Sequence, residues 1–76
     1  MDEKAIVKLI MAYGYEFDFE DVGQRKKRYA SEQGFIDVWN GKKGITVGVY
    51  IPEAQTVKYV RRPTLEQMEV KIIESL

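Results

Sequence analysis

The sequence predicts an α+β fold: an antiparallel β-meander of three strands, four or five if the preceding segment also pairs, with N-terminal and C-terminal helices packed on one face. Three observations predict it. Apolar residues recur at helical spacing only near the two ends of the chain. Between them, "FIDVWN", "ITVGVYI" and "TVKYV" are rich in β-branched and aromatic residues and are separated by "GKKG" and "PEAQ", which are turn chemistry. With 76 residues, the chain is expected to form one domain over 1–76.

In "EKAIVKLIMAY", Ile6, Leu9, Ile10 and Tyr13 follow the i, i+3, i+4, i+7 stripe with Val7 beside it. Asp2 is placed to cap this helix and Gly14 to stop it. "YEFDFE" then alternates, with Tyr15, Phe17 and Phe19 on one side and Glu16, Asp18 and Glu20 on the other. Period two is the pattern of a half-buried strand. "QRKKRYASEQ" has almost no apolar stripe and is expected to be a strand or irregular ribbon. A four-residue turn at Asp21–Gln24 would set Glu20 across from Arg25 and Asp18 across from Lys27.

In the meander, four-residue loops at "GKKG" and "PEAQ" set Trp39 opposite Thr46, Val38 opposite Val47, Asp37 opposite Gly48 and Phe35 opposite Tyr50. They also set Tyr50 opposite Val57 and Gly48 opposite Tyr59. One face then collects Ile36, Val38, Val47, Val49 and Val60. The other collects Phe35, Trp39, Tyr50, Val57 and Tyr59 around Asp37 and Gly48, and a one-residue slip would exchange a strand's faces. "RRPTLEQMEVKIIESL" closes the chain with a capping box, Thr64-x-x-Gln67, and an apolar stripe of Leu65, Met68, Ile72 and Leu76 with Ile73 alongside. The aliphatic face is the expected host for both helices, which leaves the aromatic face over.

Net charge is zero but unevenly spread. Residues 1–23 carry −4, residues 24–44 carry +4, residues 45–62 add +2 and residues 63–76 add −2. Such asymmetry points either to ends that fold back over the middle or to an anionic partner. There is no cysteine, so neither disulfides nor thiolate metal sites can staple the fold. The start lacks a basic leader and its apolar run is too short to cross a bilayer, so a cytoplasmic location and no membrane partner are expected.

The aromatic face is the first candidate site. Phe35, Trp39, Tyr50 and Tyr59 around Gly48 form a platform of the kind that buries interface hot spots or stacks nucleic-acid bases. Alternatively "YEFDFE" folds over it, Phe17 and Phe19 completing a second small core and Tyr59 covering the bare glycine. The second candidate is the basic run Arg25, Lys26, Lys27 and Arg28, which with Lys42, Lys43, Arg61 and Arg62 offers phosphate contacts. Glu16, Asp18 and Glu20 are available to quench it, and a pI near 6.2 is low for a nucleic-acid module.

Catalysis is not expected. The chain has no histidine and no cysteine, the commonest acid–base group and the best nucleophile. "GKKG" lacks the spacing of a phosphate-binding loop, and no cofactor or metal is expected. The helix–three strands–helix order is similar to that of double-stranded RNA-binding domains. In that family the second helix starts with a lysine cluster, whereas "RRPTLEQMEV" has its two arginines before the helix and acids after them. The likeness implies element order alone, and no site residue carries over. The "GFIDVWNGKKGITVGVY" core also resembles short proteins of phages and mobile elements. The expected function is non-enzymatic binding through the aromatic face to a protein partner or to a second copy, with nucleic-acid binding through the basic middle as the alternative.

Overall fold

A computed structural model describes residues 2–76. The order is α1 (Glu3–Ala12), β1 (Glu16–Asp21), β2 (Lys26–Ser31), β3 (Gly34–Gly41), β4 (Gly44–Ile51), β5 (Thr56–Arg61) and α2 (Leu65–Ser75). The five strands form one antiparallel sheet in chain order, β1-β2-β3-β4-β5. The chain is therefore an α+β fold with two strands more than the helix–three strands–helix order. Among the described residues no helix is long and apolar enough to cross a membrane.

The meander has the register its turns demand. Val38 pairs with Val47, Asp37 with Gly48, Gly48 with Tyr59 and Tyr50 with Val57. The ladder runs further into "GKKG" than a four-residue loop allows, because Gly41 pairs with Gly44 and only Lys42 and Lys43 turn. "PEAQ" remains a four-residue loop, closed by the Gln55 amide on the Pro52 carbonyl at 3.1 Å.

Both helices lie on the aliphatic face. Ile6 and Ile10 from α1 and Met68 and Ile72 from α2 are fully buried with Ile36, Val38, Val47 and Val49. The N-caps form as the sequence requires: Asp2 accepts the Ala5 amide, and Thr64 and Gln67 make the reciprocal capping box. The stripe of α2 differs from expectation. Its buried residues are Met68, Ile72 and Ser75, whereas Leu65, Ile73 and Leu76 are about half exposed. Ser75 is tolerated in the core because its hydroxyl bonds the Ile72 carbonyl at 2.6 Å and the buried Tyr15 hydroxyl at 3.0 Å. That pair also joins the end of α2 to the residue that follows α1, so the two helices run side by side in one direction.

"YEFDFE" neither alternates through its length nor folds over the aromatic face. It is the edge strand β1, and a bulge at Asp18 lets Phe17 pair with Tyr29 while Phe19 pairs with Arg28. Paired residues share a face, so the extra residue puts Phe17 on the helix side and Phe19 on the other. The β1–β2 turn sits one residue later than expected, at Val22–Arg25, where Asp21 accepts the Gln24 amide at 3.1 Å. Arg25 adopts the left-handed conformation, φ 55°. Lys27 rather than Arg25 therefore lies opposite Glu20.

Candidate binding face

The face away from the helices is built in cross-strand rows. Its central row crosses all five strands through Phe19, Arg28, Asp37, Gly48 and Tyr59. One neighbouring row places Lys26 beside Trp39, and the other places Phe35 and Tyr50 in a stacked pair, centroids 5.3 Å apart and 16° from parallel. Trp39 leans on Tyr59 at 5.8 Å. Among the described residues no element covers this face: Tyr59 is 62% exposed and Phe19 41%, and Phe35, Trp39 and Tyr50 are partly buried. The face thus gathers the four aromatics the sequence pointed to and adds Phe19, which the bulge at Asp18 turns onto it.

Its centre is an ion pair. Asp37, 4% exposed, accepts Arg28 Nε at 2.7 Å and a second guanidinium nitrogen at 2.9 Å, while Lys26 stands 3.8 Å away. The two-pronged contact fixes the guanidinium plane, which lies over the Phe35 ring at 3.9 Å and near Phe19 at 5.4 Å. Lys26 in turn sits 5.7 Å from Trp39 and 5.8 Å from Phe19. Hydrogen bonding to Asp37 raises the Arg28 pKa further above its ordinary value, against partial burial. Gly48 is needed beside this centre, since a Cβ there would come within 2.9 Å of the Tyr59 ring and 3.0 Å of Val57.

The basic run does not act as a unit. Strand alternation sends Lys26 and Arg28 to the aromatic face and Lys27 to the helix side, where it bonds Glu3 at 2.9 Å. That bond, with one from Asn40, holds the Glu3 carboxyl below its ordinary value against desolvation, and it raises the Lys27 pKa. The expected quenching by Glu16, Asp18 and Glu20 is therefore replaced by Asp37 and Glu3. Among the described residues the β1 acids form no ion pair, though Asp18 and Glu20 act on Arg28 and Lys27 at longer range.

The other candidate cations gather elsewhere. Arg25, Lys42, Lys43, Arg61 and Arg62 lie in the turns and strand termini at one end of the sheet, with Arg62 Nε bonded to the Lys43 carbonyl at 2.9 Å. Among the described residues none of the five forms an ion pair. At the opposite end, Glu32, Glu53 and Glu74 line one hollow, and Glu16 with Glu32 lines the next. Glu32 and Glu53 come from stretches of net positive charge, and Asp2, Glu3 and Asp21 share the basic end, so the two ends of the sheet do not follow the charge pattern along the sequence. Both helices start at the basic end, so their dipoles point the same way.

Comparison with protein-family models, with curated proteins and with solved structures found no match to this chain.

Proposed function

We propose that the chain is a small non-enzymatic binding module that docks a protein partner on its aromatic face. The open face built on the row Phe19, Arg28, Asp37, Gly48 and Tyr59, in which Phe19 and Tyr59 stay exposed over a buried Asp37 and Gly48, flanked by Phe35, Tyr50 and Trp39, is the observation that carries this. Aromatic residues and arginine are the types that dominate association energies, and flat patches rich in them are uncommon on surfaces that bind nothing. The Arg28–Asp37 pair favours a protein over a phosphate backbone, because the guanidinium at the centre of the platform already has its counter-ion. Binding would bury rings already held by their neighbours, with little ordering cost.

A nucleic-acid reading draws on the five unpaired cations at the adjoining end of the sheet, which would meet phosphates while bases stacked on Trp39 and Tyr59. Salt separates the two. Phosphate-driven binding falls steeply with log salt, whereas an aromatic interface changes little.

The test is a photo-cross-linker placed at Tyr59 on the face and, in a second preparation, at Lys8 on the exposed side of α1. A protein captured from Tyr59 and not from Lys8 is then purified and titrated. Trp39→Ala is expected to weaken that binding by about 2 kcal/mol or more, roughly 30-fold, while a half-buried ring should cost the fold less than the ~3–5 kcal/mol of a core aromatic. Equal capture from both positions, or unchanged affinity of Trp39→Ala, would contradict the proposal.

A further inference from the structure

We propose that two copies of the chain pair antiparallel through the outer edge of β5, joining their sheets into one ten-stranded sheet with a single continuous aromatic face. The inference rests on the strand edge and not on what the face binds, so either can fail alone.

The two edges of the sheet differ. On β1 the bulge at Asp18 and four carboxylates interrupt the edge, which are the usual means of blocking further pairing. β5 pairs without interruption from Thr56 to Arg61. The Arg62 amide donates to the Ile45 carbonyl at 2.7 Å, and antiparallel pairs alternate between bonded and non-bonded. Lys58 and Val60 therefore turn their main-chain groups toward β4, while Val57, Tyr59 and Arg61 turn theirs outward. Among the described residues no strand pairs with that edge.

This edge is most self-complementary in the register centred on Tyr59, which engages Val57, Tyr59 and Arg61 together, whereas one centred on Val60 would pair only Tyr59 with Arg61. A twofold axis through Tyr59 sets Tyr59 against Tyr59 of the second copy and Val57 against Arg61, and these positions exchange all the outward main-chain bonds. Lys58 then lies opposite Val60 on the helix side. There a hollow lined by Val60, Glu66, Gln67, Val70 and Lys71 can take the lysine stem and leave its ammonium near Glu66, the Lys71 charge being engaged by Glu74. The register one step away, centred on Lys58, would put two lysines face to face. The same axis reverses one copy, so the basic end carrying Arg61 and Arg62 lies beside the acidic end carrying Glu53 of the other. The zero net charge leaves no overall repulsion to oppose contact.

The wild-type chain is examined by sedimentation from micromolar to millimolar concentration, with amide exchange measured by NMR at both limits. A monomer–dimer equilibrium is expected. With rising concentration the amides of Val57, Tyr59 and Arg61 should become protected, while those of Lys58 and Val60 are protected throughout. Tyr59→Pro removes an outward amide that takes no part in the β4–β5 ladder and should be monomeric at every concentration, whereas Tyr59→Ala, which keeps the amide, should still dimerise. A wild-type chain that stays monomeric to millimolar concentration overturns the proposal. A dimer whose Val57, Tyr59 and Arg61 amides exchange as fast as in the monomer overturns it too, because the contact then lies away from this edge.

Discussion

Ile72→Ala is expected to cost about 2–5 kcal/mol, the range for emptying a buried isoleucine site. A chain of this size has roughly 4–11 kcal/mol of stability in total, so this one change should remove a large part of it. Ile72 is fully buried, as are Ile10, Met68, Val47 and Val49 in the same core. Little can collapse into the gap, because the sheet beneath is fixed by ladders on both sides of β4. The control is one residue away. Ile73 is 56% exposed, and Ile73→Ala should change stability by no more than about 0.5 kcal/mol. Urea unfolding of both variants decides the matter, and similar midpoints would mean that α2 is rotated about its axis.

Arg28→Met should be the next most damaging change, at about 3 kcal/mol. It would leave the Asp37 carboxylate buried with only Lys26 nearby at 3.8 Å, and removing one partner of a buried pair costs about 3–5 kcal/mol. The low end applies because the Arg28 side chain keeps 28% of its surface in water. Removing the carboxylate as well should reverse the effect, with Arg28→Met/Asp37→Val returning to within about 1 kcal/mol of the parent, since an apolar pair can replace a buried ionic one. The denaturation midpoints of the two single variants and the double variant measure the coupling. If the double variant loses as much as Arg28→Met alone, the cost lies in the lost packing over Phe35 and Phe19 rather than in an orphaned charge.

Much of this architecture was legible in the chain. The register from Phe35 to Tyr59 followed from two glycine- and proline-marked turns, because turn length fixes which residues face each other. Period-two alternation then placed Phe35, Trp39, Tyr50 and Tyr59 together without knowledge of any contact. The β1–β2 hairpin was less legible, for two local reasons. Its turn uses Arg25 in a left-handed conformation where a glycine would have advertised it. The bulge at Asp18 leaves no mark in an alternating sequence, yet it decides that Phe19 and not Phe17 joins the open face. In α2, the stripe of Leu65, Met68, Ile72 and Leu76 passes over Ser75, whose burial depends on the Tyr15 hydroxyl across the core and the Ile72 carbonyl.

The centre of the candidate face was hidden for a related reason. Asp37 was visible between the aromatics, but the basic run has three nearer-looking partners in Glu16, Asp18 and Glu20. Strand pairing places Arg28 directly opposite Asp37, and that short cross-strand distance prevails over proximity in sequence. The same alternation sends Lys27 to Glu3, so four adjacent cations that look like one phosphate-binding patch are divided among two faces and the turn that holds Arg25. What remains for an anion is the cluster at the sheet end, assembled from three separate turns and termini.

The uncovered aromatic face is tested most directly by collisional quenching of the single tryptophan, Trp39, with acrylamide. Dilution to a concentration where sedimentation shows only monomer excludes protection by a second copy. The structure predicts that the quencher reaches the partly exposed indole in that monomer, and that a partner bound on the face shields it. Blue-shifted emission that acrylamide cannot quench in a proven monomer would mean that the chain covers its own aromatic face, and would contradict the account.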